Sequence, residues 1–267
     1  MKYALLSDIH ANLPALTAVL DDVASRGDIA AVHHLGDLVG YSSSPSEVVE
    51  RVHAEGIAGV AGNYDSTVAT AYKHCGCRSE TPRQEELAHI SYEWTRANTS
   101  PRAKHLLGAL PFRLDIRPLG GHVSGPTLTL VHATPTNNLV YVTEDRPDSF
   151  LTKMADAAQL RAGDVLAFGH THLPWHREVR GPGDQPGVHF VNIGSVGRPK
   201  DGDWRAGYAV LDVGNGDVQV EFVRVEYDVE RAMADVLAAG LPAEFAQFLK
   251  SGGVPSRSTG DSRASAT

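Results

Sequence analysis

Five times along this 267-residue chain a short apolar run ends in a tight loop carrying Asp, Asn or His. Lys2 to Ser7 runs into Asp8-Ile9-His10, Ile29 to Leu35 into Gly36-Asp37, and Ile57 to Ala61 into Gly62-Asn63-Tyr64-Asp65. Later, Thr127 to Val131 runs into His132, and Val165 to Phe168 into Gly169-His170-Thr171-His172. Short apolar runs bounded by glycine and turn residues read as buried strands. The first three alternate with helical spacing, clearest at Leu13, Leu16, Val19, Leu20 and Val23, and again over Pro45 to Glu55. Strands alternating with helices specify a parallel sheet with its ligand-type residues at the strand C-terminal ends, where Asp8, Asp37 and Asn63 fall.

Singly, each motif is weak, because an Asp or His at a strand end is most often a loop polar group or a satisfied core histidine. Together, Asp8, His10, Asp37, Asn63, His132, His170 and His172 form a mixed oxygen and imidazole set. Such a set suits Mn, Fe, Zn or Ni and needs no sulfur. Asn12, ahead of Leu13-Pro14, reads as the N-cap of the first helix. The positive end of that helix then points toward the ligand loops, so Asn12 is either an ordinary cap or a contact for a phosphate oxygen.

Residues 66–110 carry no ligand motif, while Arg83 to Ala97 and Arg102 to Leu110 have helical periodicity. They are expected to form a helical insertion, either a lid over the site or a plain outer layer. Tyr72, His74 and His89 are the residues there that could face a substrate. The second half holds predicted strands over Phe112–Ile116, Thr127–His132, Val165–Phe168, Trp175–Val179, Val188–Ile193, Gly207–Val213 and Val218–Val225, with Asp148–Leu160 helical. This β-rich half is expected to be antiparallel, giving two sheets packed face to face with helices outside. Val229 to Leu249 reads as helix, broken near Gly240-Leu241-Pro242. One domain over 1–250 is the simplest organisation, and 251–267, rich in Ser, Gly, Arg and Thr, reads as a flexible tail.

A content of 42% hydrophobic and 21% charged residues is ordinary for a globular chain. No apolar run approaches the ~18 residues of a membrane span, and Tyr3 to Leu6 is too short for a signal-peptide core. Cys75 and Cys77 cannot build a disulfide framework and read as two small loop side chains, so a cytoplasmic location is expected. The net charge of −8 and the lack of a basic run argue against stable nucleic-acid binding. They do not exclude a phosphate substrate, since two divalent ions would add about four positive charges to a cleft.

In this order and spacing, Asp8-Ile9-His10, Gly36-Asp37, Gly62-Asn63, His132 and Gly169-His170-Thr171-His172 resemble the calcineurin-like metallophosphoesterases, from Met1 to about Tyr227. The stretches Ser7 to Leu16 and Asn192 to Pro199 resemble the small bacterial and archaeal phosphodiesterase branch. The resemblance implies an α/β fold: two face-to-face mixed β-sheets flanked by helices in a four-layer sandwich. It implies a metal-dependent phosphoesterase, a phosphodiesterase in preference to a monoesterase, with two divalent ions activating a water. Mn is favoured, with Fe, Zn or Ni as alternatives. Carried over by motif, Asp8, His10, Asp37 and His172 hold the first ion, and Asp37, Asn63, His132 and His170 the second. Asp37, Asn63, Tyr64 and Asp65 occupy the family's catalytic positions.

Tyr64 departs from the family pattern, in which many members have histidine after the asparagine. A phenol titrating near 10 is a poorer proton shuttle at neutral pH than imidazole. Substrates whose leaving groups need little protonation are therefore expected, unless His34 or His74 stands in. In the loop Gly194 to Arg205, Arg198, Lys200 or Arg205 could contact phosphate, with Arg the better fork; an exposed structural loop is the alternative. The implied substrate is a small phosphoester or nucleotide, or a phosphoprotein. A phosphoprotein phosphatase, a dinucleoside polyphosphate hydrolase and a non-catalytic metal-binding scaffold of the same fold are the rival readings. The sequence leaves the oligomeric state open.

Overall fold

In the computed structural model, the structure describes residues 1–77, 81–117, 125–181, 186–214 and 217–253. The chain begins with β1 (Lys2–Leu6), α1 (Leu13–Arg26), β2 (Ile29–His34), α2 (Pro45–Ala54) and β3 (Ala58–Gly59). Three helices follow: α3 (Asn63–Ala69), α4 (Pro82–Asn98) and α5 (Pro101–Gly108). Then come β4 (Arg113–Ile116), β5 (Leu128–Val131), α6 (Asp148–Ala158), β6 (Val165–Phe168), β7 (Trp175–Val179) and β8 (Val188–Asn192). The hairpin β9 (Ala206–Gly214) and β10 (Asp217–Val225) precedes α7 (Val229–Ala238) and α8 (Ala243–Ser251).

Two five-stranded mixed sheets result, with orders β10-β9-β1-β2-β3 and β4-β5-β6-β8-β7. Tyr3, Leu5 and Leu35 from the first sheet and Leu128, Leu130, Val165, Ala167 and Val191 from the second share one buried apolar layer. Because side chains alternate along a strand, Ala4 and Leu6 face the other way, into a layer with Leu16 and Val19 of α1 and Val48 and Val52 of α2. A third apolar layer joins Leu166, Phe168 and Phe190 to Leu151 and Met154 of α6. Helix, sheet, sheet and helix thus stack as four layers.

Local chemistry sets the helix ends. Asn12 Oδ1 accepts from Ala15 N (3.2 Å), Thr81 Oγ1 from Gln84 N (3.2 Å) and Ser100 Oγ from Ala103 N (3.1 Å), each an N-cap bond. The break expected at residues 240–242 separates α7 from α8.

Three expectations need correction. The second half is not simply antiparallel: β5, β6 and β8 run parallel, because α6 carries the chain back across the sheet, and only β4 and β7 run counter to their neighbours. The antiparallel hairpin β9–β10 joins the first sheet instead. The third strand is two residues long, because Ala61 N leaves the sheet to bond Pro111 O (2.8 Å). Ser251, expected to begin the tail, is the last residue of α8, and residues 254–267 lie outside the described residues.

Candidate metal centre

All the ligand candidates lie at or just beyond strand C-termini, in loops that zip together, except Asn63, which is the first residue of α3. Asp8 N donates to Gly36 O (3.0 Å), His10 N to Asp37 O (3.0 Å) and Ala11 N to Leu38 O (2.8 Å). From the second sheet, Gly169 N donates to His132 O (2.9 Å), and His170 N reaches Asp8 Oδ2 (2.9 Å). Nine non-glycine residues among those described have positive φ, and five of them are Asp8, His10, Asp37, His170 and His172. Left-handed backbone is costly for such residues and persists where surrounding bonds over-determine it. Two glycines are required by contact: a Cβ at Gly62 would lie 2.1 Å from Asp37 Oδ1, and one at Gly169 would lie 2.4 Å from Asp8 Oδ2.

The buried carboxylates and imidazoles form two groups, Asp8 with His10 and His172, and Asp37 with His132 and His170. The hydrogen bonds fix what each presents. His10, His132 and His172 direct Nδ1 at the carbonyls of Val39 (3.0 Å), Leu35 (2.8 Å) and Arg198 (2.5 Å), a pairing that places the proton on Nδ1 and leaves Nε2 as a bare lone pair. Asn63 Nδ2 donates to Cys75 O (3.0 Å), so Oδ1 faces the second group as an acceptor.

These acceptors then crowd together, with His170 Nδ1 beside them. His10 Nε2 and His172 Nε2 are 3.2 Å apart, His172 Nε2 and Asp8 Oδ1 3.2 Å, His132 Nε2 and Asn63 Oδ1 3.2 Å, and His132 Nε2 and His170 Nδ1 3.1 Å. Asp8 Oδ1 and His170 Nε2 are buried without any hydrogen-bond partner. Lone pairs facing lone pairs repel unless a cation lies between them. Ligands bound at 2.0–2.2 Å around one cation stand about 3.0–3.5 Å apart, so the spacing fits a metal ion in each group. Asp37 Oδ2 lies 3.5 Å from His132 Nε2 and 3.8 Å from His10 Nε2, between the two groups.

Burial, with Asp65 and Asp8 nearby, pushes Asp37 up to about 8 against the pull of His132. Burial also pushes His10 and His170 well below the ordinary imidazole range and His172 to about 4, so these rings are neutral and free to ligate.

Other candidates have different employment. Tyr64 is 1% exposed, its hydroxyl donates to Ser91 Oγ (3.2 Å), and burial pushes its pKa further above 10. Tyr64 therefore stands as a packed wall beside His10, ring centroids 5.7 Å apart. Asp65 accepts from Leu38 N (2.9 Å) and Gly62 N (3.0 Å), bracing the Asp37 loop against the Asn63 loop. Beyond capping α1, Asn12 donates to Gly197 O (3.0 Å) and Tyr227 OH (3.3 Å), so its amide is committed inside the protein.

His34 is sealed against Gly59 with its pKa lowered to about 3 by burial, which removes it as a proton shuttle. His74 stacks edge-on with exposed Tyr72 (4.9 Å), His89 lies exposed on α4, and Arg205 is paired with Asp203 (2.7 Å). Lys200 is near enough to depress His172 and His170. Cys75 and Cys77, expected as two separate side chains, are joined in a disulfide; their Cα atoms, 5.3 Å apart, lie within the span that a bridge needs. The sequence reading also missed Ser7 and Ser195, whose hydroxyls donate to Asp8 Oδ2 (2.6 Å) and Asp8 O (2.7 Å); nothing in their local sequence signals it.

A profile of the calcineurin-like phosphoesterase superfamily domain matches residues 1–216. The chain belongs to that superfamily. This phosphoesterase is 30% identical over 250 residues to an uncharacterized protein of Methanocaldococcus jannaschii, covering 90% of this chain and 93% of that one. It is 29% identical over 222 residues to phosphodiesterase YfcE of Escherichia coli K12, covering 79% and 88%. A metallophosphoesterase structure from Sphaerobacter thermophilus superposes with a TM-score of 0.71 at 29% identity, covering 94% of this chain and 100% of that one. A hypothetical protein from Pyrococcus horikoshii OT3 shares the fold at a TM-score of 0.78 and 22% identity, covering 96% and 99%. These relatives fit the small bacterial and archaeal branch of the superfamily. No described helix of the phosphoesterase is long and apolar enough to cross a membrane.

Proposed function

We propose that this phosphoesterase is a phosphodiesterase working with two divalent ions on a small phosphoester or nucleotide. The observation that carries the reading is the pocket of converging acceptors, with the His10 and His172 Nε2 lone pairs 3.2 Å apart and Asp8 Oδ1 3.2 Å from the latter. Asp8, His10, Asp37 and His172 would hold one ion and Asp37, Asn63, His132 and His170 the other, with Asp37 shared. The oxygen and imidazole donors suit Mn, with Fe, Zn and Ni admitted. Such ions supply Lewis acidity toward phosphoryl oxygens and make a water acidic enough to react near neutral pH.

The protein's own part is positioning. Backbone carbonyls hold the imidazole tautomers, Asp65 ties two ligand loops together, and Ser7 and Ser195 fix Asp8. As water adds to phosphorus and the ester P–O bond breaks, the leaving oxygen departs with its electron pair. With Tyr64 committed to Ser91, its phenol is not free to protonate that oxygen, which favours leaving groups of low pKa. The name of the E. coli relative supports a diester.

Hydrolysis of bis(4-nitrophenyl) phosphate and 4-nitrophenyl phosphate with added Mn, together with elemental analysis, tests this. Faster diester turnover and roughly two ions per chain are expected, with Asp37→Asn losing at least about 100-fold of the activity and much of the metal. Faster monoester turnover would reject the diester preference. Bound metal with no turnover on a wider phosphoester panel would favour the scaffold.

A further inference from the structure

Arg198 serves the ligand shell with its backbone only. Its N–H donates to Ser195 Oγ (2.8 Å), and its carbonyl takes the Nδ1 proton of His172 (2.5 Å). The side chain turns elsewhere. The guanidinium carbon lies 4.0 Å from the centre of the Tyr41 ring and 3.7 Å from that of Phe248, so the cation is clamped between two aromatic rings. Rings stacked on its faces stabilise the charge by cation–π attraction and leave the in-plane N–H edge open.

No carboxylate among the described residues meets that edge. Burial pushes the Arg198 pKa below the ordinary value, against the pull of Tyr41, Tyr64 and Tyr141, and its charge in turn depresses His10 and His172. Tyr41 stands edge-on to His10, ring centroids 5.0 Å apart, which places the clamp beside the first ligand group. A partly desolvated arginine held in one orientation and lacking an acid partner is suited to bind an oxyanion through paired N–H bonds.

One jaw of the clamp lies outside the matched family domain. Phe248 belongs to α8, beyond residue 216, and Phe245 of the same helix packs edge-on against Tyr41 (5.8 Å). This C-terminal pair of helices is anchored to α4 by Trp94 Nε1 donating to Ala239 O (3.1 Å) and by the Arg83–Glu244 ion pair.

We propose that Arg198 is the oxyanion-recognition residue of this pocket, and that α8, through Phe248, is the specificity element that holds it in place. The inference rests on the phosphoesterase reading. The oxyanion is a phosphate oxygen, either of the reacting phosphoryl group or of a second phosphate on the same substrate.

Calorimetric titration of the full-length, Mn-loaded protein with orthophosphate tests the clamp without turnover. Arg198→Met should weaken orthophosphate by about 10-fold or more, and Arg198→Lys should restore part of it, at unchanged metal content. Phe248→Leu should raise KM for bis(4-nitrophenyl) phosphate more than it lowers kcat. Wild-type protein that binds no orthophosphate, or an affinity unchanged in Arg198→Met, would overturn the proposal. The source of the oxyanion follows from thymidine 5′-(4-nitrophenyl phosphate) with and without a 3′-phosphate. An equal KM increase for both in Arg198→Met assigns the clamp to the reacting phosphoryl, and an increase only for the 3′-phosphorylated substrate assigns it to a second phosphate. Orthophosphate bound through Arg198 in a protein that hydrolyses no ester would leave the clamp standing and the proposed activity rejected.

Discussion

Asp8, His10, Asp37, His170 and His172 each sit in left-handed backbone, at a cost of order 1–3 kcal/mol per residue. No sequence pattern announces that conformation for Asp or His; glycine is the residue that normally signals it. The neighbouring glycines did signal tight turns, and contact explains one of them: with a Cβ 2.1 Å from Asp37 Oδ1, Gly62→Ala must move either the carboxylate or its own loop. We expect Gly62→Ala to lose metal affinity and about 2 kcal/mol of stability, read from elemental analysis and the urea midpoint. Tyr64 gives a separate test. Its hydroxyl bonds Ser91, so Tyr64→Phe should cost about 1 kcal/mol of stability and leave kcat/KM within about threefold. A fall of about 100-fold would restore the phenol as an acid catalyst.

At the scale of elements, the strands and helices were largely legible, because apolar periodicity is local. The predicted spans of β6 and β7 coincide with the observed ones, and the break between α7 and α8 falls at the expected glycine and proline. Strand direction was less legible: whether β5 and β6 pair parallel depends on α6 crossing back over the sheet, a matter of partners and not of pattern. Burial within β2 carries a pH consequence. His34 takes a proton near 6.5 when unfolded, but only near 3 when folded, because burial disfavours its charged form. Below pH 6.5 the unfolded chain therefore binds the extra proton, and stability falls as pH drops toward 3. Between pH 6.5 and 5, the wild type should lose about 1.6 kcal/mol more than His34→Leu, measured by denaturant titration. Parallel curves for the two proteins would show that His34 is not the source.

Over the whole molecule, two sheets and their loops hold two carboxylates and four imidazoles in the two buried groups. Removing divalent ions should therefore lower Tm, and restoring Mn at about 100 times its dissociation constant should return roughly 2.7 kcal/mol per site. Differential scanning calorimetry with chelator and after Mn addition reads this directly. An identical Tm in both states would mean that the pocket holds no ion tightly. The proposed phosphate site is also a whole-molecule property, since α8 lays Phe248 over Arg198.

The sequence by itself determined most of the strands and helices and which side chains are chemically fit to bind metal, because periodicity and donor type are carried by neighbours along the chain. Only the tertiary structure decided that Tyr64 faces Ser91, that Asn12 and Asp65 are braces, and that Arg198 is stacked between two rings. Those outcomes depend on where a side chain finds its partner, and the partners are supplied by segments far away in sequence: Ser91 for Tyr64, Gly197 for Asn12, Leu38 for Asp65 and Phe248 for Arg198.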